Sequence, residues 1–298
     1  MKKVIFKGAA AAIVTPFTED GIDFEQLKKV VDFEISGGID AIVVCGTTGE
    51  SATMTNEEHI ATIKCVTDHV AGRVPVIAGT GVNDTRHSIL LTKLAEEAGA
   101  NAVLCVTPYY NKTTQAGLVE HFTKIAESTS LPVILYNVPG RTGMNIAPET
   151  YEKLSKIPNI NGVKECNLTQ VPTTKRLCGD ELNIYSGEDG LVTMALSAGA
   201  LGVVSVVADL MPGYMSDMVH KYLDGKHEEA YNMQLDILDL VDALFCEVNP
   251  IPIKEAYNIL GLDEGIVRLP LVHMAPANRE KLEKVLAAHG LTKGSISL

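Results

Sequence analysis

Short apolar runs alternate with longer segments whose apolar positions recur at helical spacing, almost without a break from residue 8 to about residue 224. The runs AAAAIV, DAIVVC, VPVIAG, NAVLCV, LPVILYN, NINGVK, LNIYSG and LGVVSV predict strands. FEQLKKVVDFEISGG and TRHSILLTKLAEEAGA predict amphipathic helices that stop at glycine, the residue that best tolerates the backbone conformation ending a helix. SGGIDAIVVCGTTGE, EAGANAVLCVTPYY and SAGALGVVSV repeat one order: helix end, glycine, strand, polar loop. Strands this uniformly hydrophobic leave no wet face, so their sheet is parallel and covered on both sides. Eight such strand–helix units predict an α/β fold, a (β/α)8 TIM barrel. An open doubly wound sheet is the alternative, and the absence of GxGxxG after the first strand counts against it.

Beyond residue 224, HEEAYNMQLDILDLVDALFC and NREKLEKVLAAHGL predict additional C-terminal helices. The expected organisation is a barrel over 1–224 and a helical extension over 225–298 packed on it, with no linker, charge block or low-complexity segment between them.

Barrels of this kind gather chemistry at the carboxyl ends of their strands. Those ends carry Gly46-Thr47-Thr48-Gly49-Glu50, Thr107-Pro108-Tyr109-Tyr110-Asn111, Tyr136-Asn137, Lys164-Glu165, Ser186-Gly187-Glu188 and Val204-Ser205. Lys164 closes an apolar run, and a lysine held there is destabilised in its charged form, which frees the neutral amine as a nucleophile. Its natural target is a carbonyl, and the resulting Schiff base is an electron sink for making or breaking an adjacent carbon–carbon bond. Each step moves a proton, for which Tyr136, Tyr110 and Thr47 are candidates, although Tyr136 taken alone also fits a core tyrosine. CGTTGES fits either a cradle of backbone N–H groups for an anion or a tight turn into a helix capped by threonine. Arg141 in YNVPGRTG fits a fork for a carboxylate or a solvated loop side chain. No GxxxxGK[ST] is present, which counts against a nucleoside triphosphate.

Composition narrows the partners. Over 298 residues the net charge is −12 and the sequence pI about 5.1, which argues against nucleic acid or an anionic membrane as the main partner. The amino-terminal GAAAAIV is too short and wrongly flanked for a secretory signal, and no apolar run approaches membrane-spanning length. Six scattered cysteines without a CxxC pair suit a reducing cytoplasm, and eight histidines show no metal-binding spacing. Neither a metal nor another cofactor is expected.

Taken in order, AIVTPF, CGTTGES, PVIAGTG, TPYYNK, LYNVPGRTG, GVKE, YSGED and NPIPIKEA resemble the class I pyruvate-dependent lyases, and within them the dihydrodipicolinate synthases, over nearly the whole chain. The resemblance implies that Lys164 forms a Schiff base with pyruvate and that Thr47 and Thr48 hold its carboxylate. It implies Tyr136 as proton donor and acceptor, with Thr47 and Tyr110 completing a relay and Tyr110 crossing from a neighbouring subunit. Gly187 and Val204 would line the pyruvate pocket, and Arg141 would bind the carboxylate of L-aspartate 4-semialdehyde. The implied product is 4-hydroxy-tetrahydrodipicolinate, on the diaminopimelate route to lysine, and the implied assembly is a homotetramer of two tight dimers.

Two departures from the family pattern stand out. The family usually has a small residue, then Ser or Thr, Gly and Asn after the lysine, whereas here Lys164-Glu165 runs into Cys166-Asn167-Leu168, two residues shorter. The interface pocket that holds inhibitory lysine in relatives would here comprise Ser51, Ala52, Asn56, His59, Asn83 and Tyr109, with His87 where an acidic residue is expected, so lysine inhibition is expected to be weak or absent. A sialic acid lyase or sugar-acid aldolase is the nearest rival, and a non-catalytic metabolite-binding barrel the rival of a different class. Arg141 within GRTG and the Thr47-Thr48 doublet favour the synthase over the first.

Overall fold

A computed structural model describes residues 2–262, 266–296 and 298. Eight parallel strands close a barrel in sequence order: β1 (Gly8–Ala12), β2 (Ala41–Val44), β3 (Val76–Gly79), β4 (Ala102–Val106), β5 (Val133–Asn137), β6 (Ile160–Glu165), β7 (Asn183–Ser186) and β8 (Gly202–Ser205), with β8 returning to β1. These are the strands expected from the apolar runs. A two-stranded hairpin, Phe17–Thr18 with Gly21–Ile22, was not expected, because strands of two residues carry no readable alternation.

Side-chain alternation divides each strand between two cores. Ala10, Ala12, Val43, Ile77, Leu104, Ile134, Tyr136, Tyr185 and Val204 form one buried cluster, and Ala9, Ala11, Val44, Ala78, Val103, Leu135, Val163, Ile184 and Val203 belong to the other, with the helices. The first is the barrel interior. Both faces of each strand are thus apolar, which is why the runs read as continuous rather than alternating. Phe6 stacks on Tyr185 with ring centroids 4.3 Å apart, and its carbonyl accepts from the Tyr185 hydroxyl, so this interior is filled rather than open.

The helices start where the sequence provides caps. Asp23 accepts from the Gln26 N–H ahead of the helix Phe24–Ser36, and Thr55 with Glu58 forms a capping box at the head of Asn56–Val70. After the last barrel strand come the helices Pro212–Leu223, His227–Asp236, Leu238–Leu244, Ile251–Leu260 and Pro276–Ala288. Leu240, Ala243, Leu244, Ile253, Ala256, Leu260, Leu282 and Leu286 join the outer core, so the tail shares one apolar interior with the barrel's helical ring. No helix among the described residues is long and apolar enough to cross a membrane.

Candidate active site

In β5 and β6 the register pairs Tyr136 with Lys164, and on the other side Lys164 pairs with Tyr185 of β7. Parallel strands in register direct paired side chains to the same face, so Lys164 enters the interior between two tyrosines. Val163 and Glu165, its neighbours in sequence, point the other way. Lys164 and Tyr136 are each 7% exposed, and the Lys164 Nζ lies 4.6 Å from the centre of the Tyr136 ring. The ring face is electron-rich, so it favours an ammonium set over it. Gly187 leaves room for this lysine: a Cβ at that position would stand 3.1 Å from Lys164 Cε and 2.5 Å from Cys166 Sγ. Val204 is buried in the same interior cluster as Tyr136.

The loop after β2 carries the threonines. Two non-glycine residues with left-handed backbones bracket them, Cys45 at φ 54° and Glu50 at φ 53°. Such conformations cost about 1–3 kcal/mol each and persist only where the surroundings enforce them. Here the enforcement is visible. The Gly49 carbonyl accepts from Thr15 Oγ1 at 2.9 Å, and the Thr48 hydroxyl accepts from Asn249 Nδ2 at 2.9 Å. Glu50 pairs with Lys254 at 2.7 Å and accepts from the Arg268 N–H at 3.0 Å. The N–H groups of Thr47 and Thr48 donate to no acceptor among the described residues, which leaves them for a ligand. With a lone pair engaged by Asn249, the Thr48 hydroxyl still has its own proton to donate.

A cavity of about 350 Å³ opens over this loop, with Thr47, Tyr109, Tyr136, Arg141, Thr142 and Asn249 in its wall. A second, of about 490 Å³, is lined by Arg141, Asn145, Cys166, Asn167, Glu188 and Phe245. Arg141 borders both, exposed at the mouth and reaching the Asn249 carbonyl at 3.5 Å. It sits on the four-residue helical turn Pro139–Thr142, where proline fixes the first residue and Gly143 the exit. Burial pushes the Glu188 carboxyl up from its ordinary range, offset in part by the Cys166 thiol and by the nearby charges of Lys164 and Arg141. Tyr110 is the exception among the expected residues. It is 92% exposed with φ 67°, so within one chain it projects away from Lys164.

The shortened loop is tied rather than loose. Only Cys166 and Asn167 separate β6 from the 3-10 turn Leu168–Gln170. The Glu165 carboxylate, 1% exposed, accepts from Asn167 N–H, Asn137 Nδ2 and Gln170 Nε2, each at 2.7 Å, and from the Tyr151 hydroxyl at 2.8 Å. Burial still raises its carboxyl against the effect of those donors. Sequence reasoning assigned no role to Glu50, Glu165, Asn249 or Lys254. Each stands in a motif quoted above, but their partners lie up to 218 positions away in the chain, which no local pattern conveys.

Comparison with known proteins agrees with this geometry. Residues 5–289 match the model of the dihydrodipicolinate synthetase family. The chain is 52% identical over 291 residues to 4-hydroxy-tetrahydrodipicolinate synthase of Acetivibrio thermocellus, covering 98% of this chain and 100% of that one. It is 51% identical over 290 residues to the protein of the same name in Caldicellulosiruptor saccharolyticus, covering 96% and 98%. The crystal structure of the chloride-inhibited dihydrodipicolinate synthase of Acinetobacter baumannii, complexed with pyruvate, superposes with a TM-score of 0.94 at 41% identity, covering 97% of this chain and 100% of that one. A match over nearly the full length, on a barrel with a lysine set between tyrosines in its interior, means that this chain belongs to the dihydrodipicolinate synthetase family.

Proposed function

We propose that the chain is a 4-hydroxy-tetrahydrodipicolinate synthase, condensing pyruvate with L-aspartate 4-semialdehyde. The observation that carries this reading is Lys164, buried inside the barrel with its Nζ 4.6 Å from the centre of the ring of Tyr136, which shares a cavity wall with Thr47. The Lys164 amine attacks the keto carbon of pyruvate, whose carboxylate is held by the Thr47 and Thr48 N–H groups and the Thr48 hydroxyl. Loss of water gives the iminium, and loss of a methyl proton gives the enamine. That carbon attacks the aldehyde of the second substrate, whose carboxylate Arg141 grips bidentately. The amine of the semialdehyde then closes the ring on the iminium carbon and releases Lys164. Tyr136 and Thr47 move the protons, with Tyr110 of a neighbouring subunit completing the relay. Gly187 and Val204 shape the space beside the lysine.

The assembly that delivers Tyr110 is a homotetramer of two tight dimers, in the cytoplasm. An exposed tyrosine held at positive φ fits a side chain presented to a partner. A coupled assay with pyruvate and aspartate semialdehyde, run beside Lys164→Ala, tests the function: turnover by the wild type and its loss in the variant are expected. Borohydride reduction in the presence of pyruvate should leave a mass adduct on Lys164, and an unmodified lysine would rule the mechanism out.

A further inference from the structure

Glu50 stands in the wall of the cavity that faces the Thr47-Thr48 loop. An unpaired carboxylate there would repel any anionic substrate. Its side chain is 1% exposed, and the helix Ile251–Leu260 sends Lys254, 2% exposed, to meet it in a 2.7 Å ion pair rather than an aligned hydrogen bond. Lys254 also donates to the Ile266 carbonyl at 2.8 Å and lies 4.5 Å from the centre of the Phe17 ring. Arg268 covers the same ring at 4.0 Å and forks onto Glu58 at 2.6 and 2.8 Å. Among the described residues, two carboxylates and two cations therefore form a cluster built around Phe17. Its members come from the loop after β2, the helix Asn56–Val70 and the C-terminal segment.

Glu50 is also one of the two left-handed residues that bracket the threonines. Whatever holds Glu50 holds the direction in which the Thr47 and Thr48 N–H groups point. We propose that Lys254 is a positioning residue for the keto acid: acting through Glu50, it cancels a negative charge behind the Thr47-Thr48 bend that would otherwise oppose the keto acid's carboxylate. Packing alone could hold the bend with an apolar side chain. The buried carboxylate behind the cavity wall requires a cation, because a buried charge without its partner acts at short range and is poorly screened.

The inference rests on the pyruvate reading, and the test separates the two. Wild-type enzyme is first trapped with pyruvate and borohydride; no adduct means that the functional reading has failed. Given an adduct, Lys254→Met is expected to raise the KM for pyruvate tenfold or more while kcat stays within about threefold. The double variant Glu50→Gln/Lys254→Met, which removes both charges, should return that KM to within about threefold of wild type. A purely structural role would instead lower the melting temperature and leave pyruvate KM unchanged in the folded fraction; that result, or a double variant as impaired as the single one, overturns the proposal. Should Lys254→Met fail to fold, Glu50→Gln decides: its pyruvate KM is expected to stay level or fall, and a rise overturns the proposal.

Discussion

At the scale of single residues, space and charge around a few side chains set the chemistry. A methyl group at position 187 would press on both Lys164 Cε and Cys166 Sγ, so Gly187→Ala is expected to lower kcat at least tenfold and slow borohydride trapping, with an unchanged circular dichroism spectrum. Glu34 presents the opposite case, a buried carboxyl remote from the strand ends. It is fully buried in the helix Phe24–Ser36, neither carboxyl oxygen has a hydrogen-bond partner among the described residues, and burial drives its carboxyl well above the ordinary range. A folded-state pKa above the unfolded value means that stability is fully present below the unfolded value, near 4.5, and declines as pH rises toward the folded one. Glu34→Gln should therefore melt at a higher temperature than wild type at pH 8, and the gain should shrink as the pH is lowered to 4. Equal melting temperatures at both pH values would contradict this account.

At the scale of elements, β6 and the loop after it act as one unit. Glu165 faces away from Lys164 yet fixes the strand end by accepting four hydrogen bonds. Glu165→Ala orphans four buried or half-buried donors, and a loss of ~3 kcal/mol or more in urea unfolding is expected, with trapping of Lys164 slowed as the loop loosens. Much of this unit was legible beforehand: the apolar run INGV announced the strand and the barrel assigned its carboxyl end to chemistry. The inward direction of Lys164 was not legible. Alternation gives two faces, and only the register against Tyr136 and Tyr185 tells which of them is interior. Likewise the short loop after Lys164-Glu165 suggested a change of pocket shape or rate, and the structure adds that the Glu165 carboxylate closes this turn.

For the whole molecule, the proposed relay requires copies of the chain to meet. If Tyr110 serves a neighbour's site, Tyr110→Phe and Lys164→Ala should each be nearly inactive, and mixing them under conditions of subunit exchange should restore measurable turnover, up to about a quarter of wild type per site when exchange is random. No recovery would place Tyr110 outside the relay. Regulation belongs to the same scale. His87 Nε2 lies 2.8 Å from Asn56 Oδ1, so the position where an acidic residue would meet lysine's ammonium groups is taken by an imidazole already engaged with an amide. Lysine at several millimolar is expected to leave at least half the activity, as measured in the coupled assay; half-inhibition below 1 mM would refute this.

The sequence by itself determined the barrel and the set of strand ends from which a site could be made, because hydrophobic periodicity and glycine stops are local and a chain of eight such units closes in few ways. Its motifs also pointed to a Schiff-base lysine. Tertiary structure alone decided which cations neutralise which carboxylates, since Glu50 and Lys254 are 204 positions apart and electrostatic pairing depends on distance in space. It decided as well that Thr48 is addressed by Asn249 and that Tyr110 is exposed on the single chain. Neighbours brought together by folding carry no signature along the chain, and here they hold the buried amine of Lys164 against Tyr136 and the loop that carries Thr48 against Asn249.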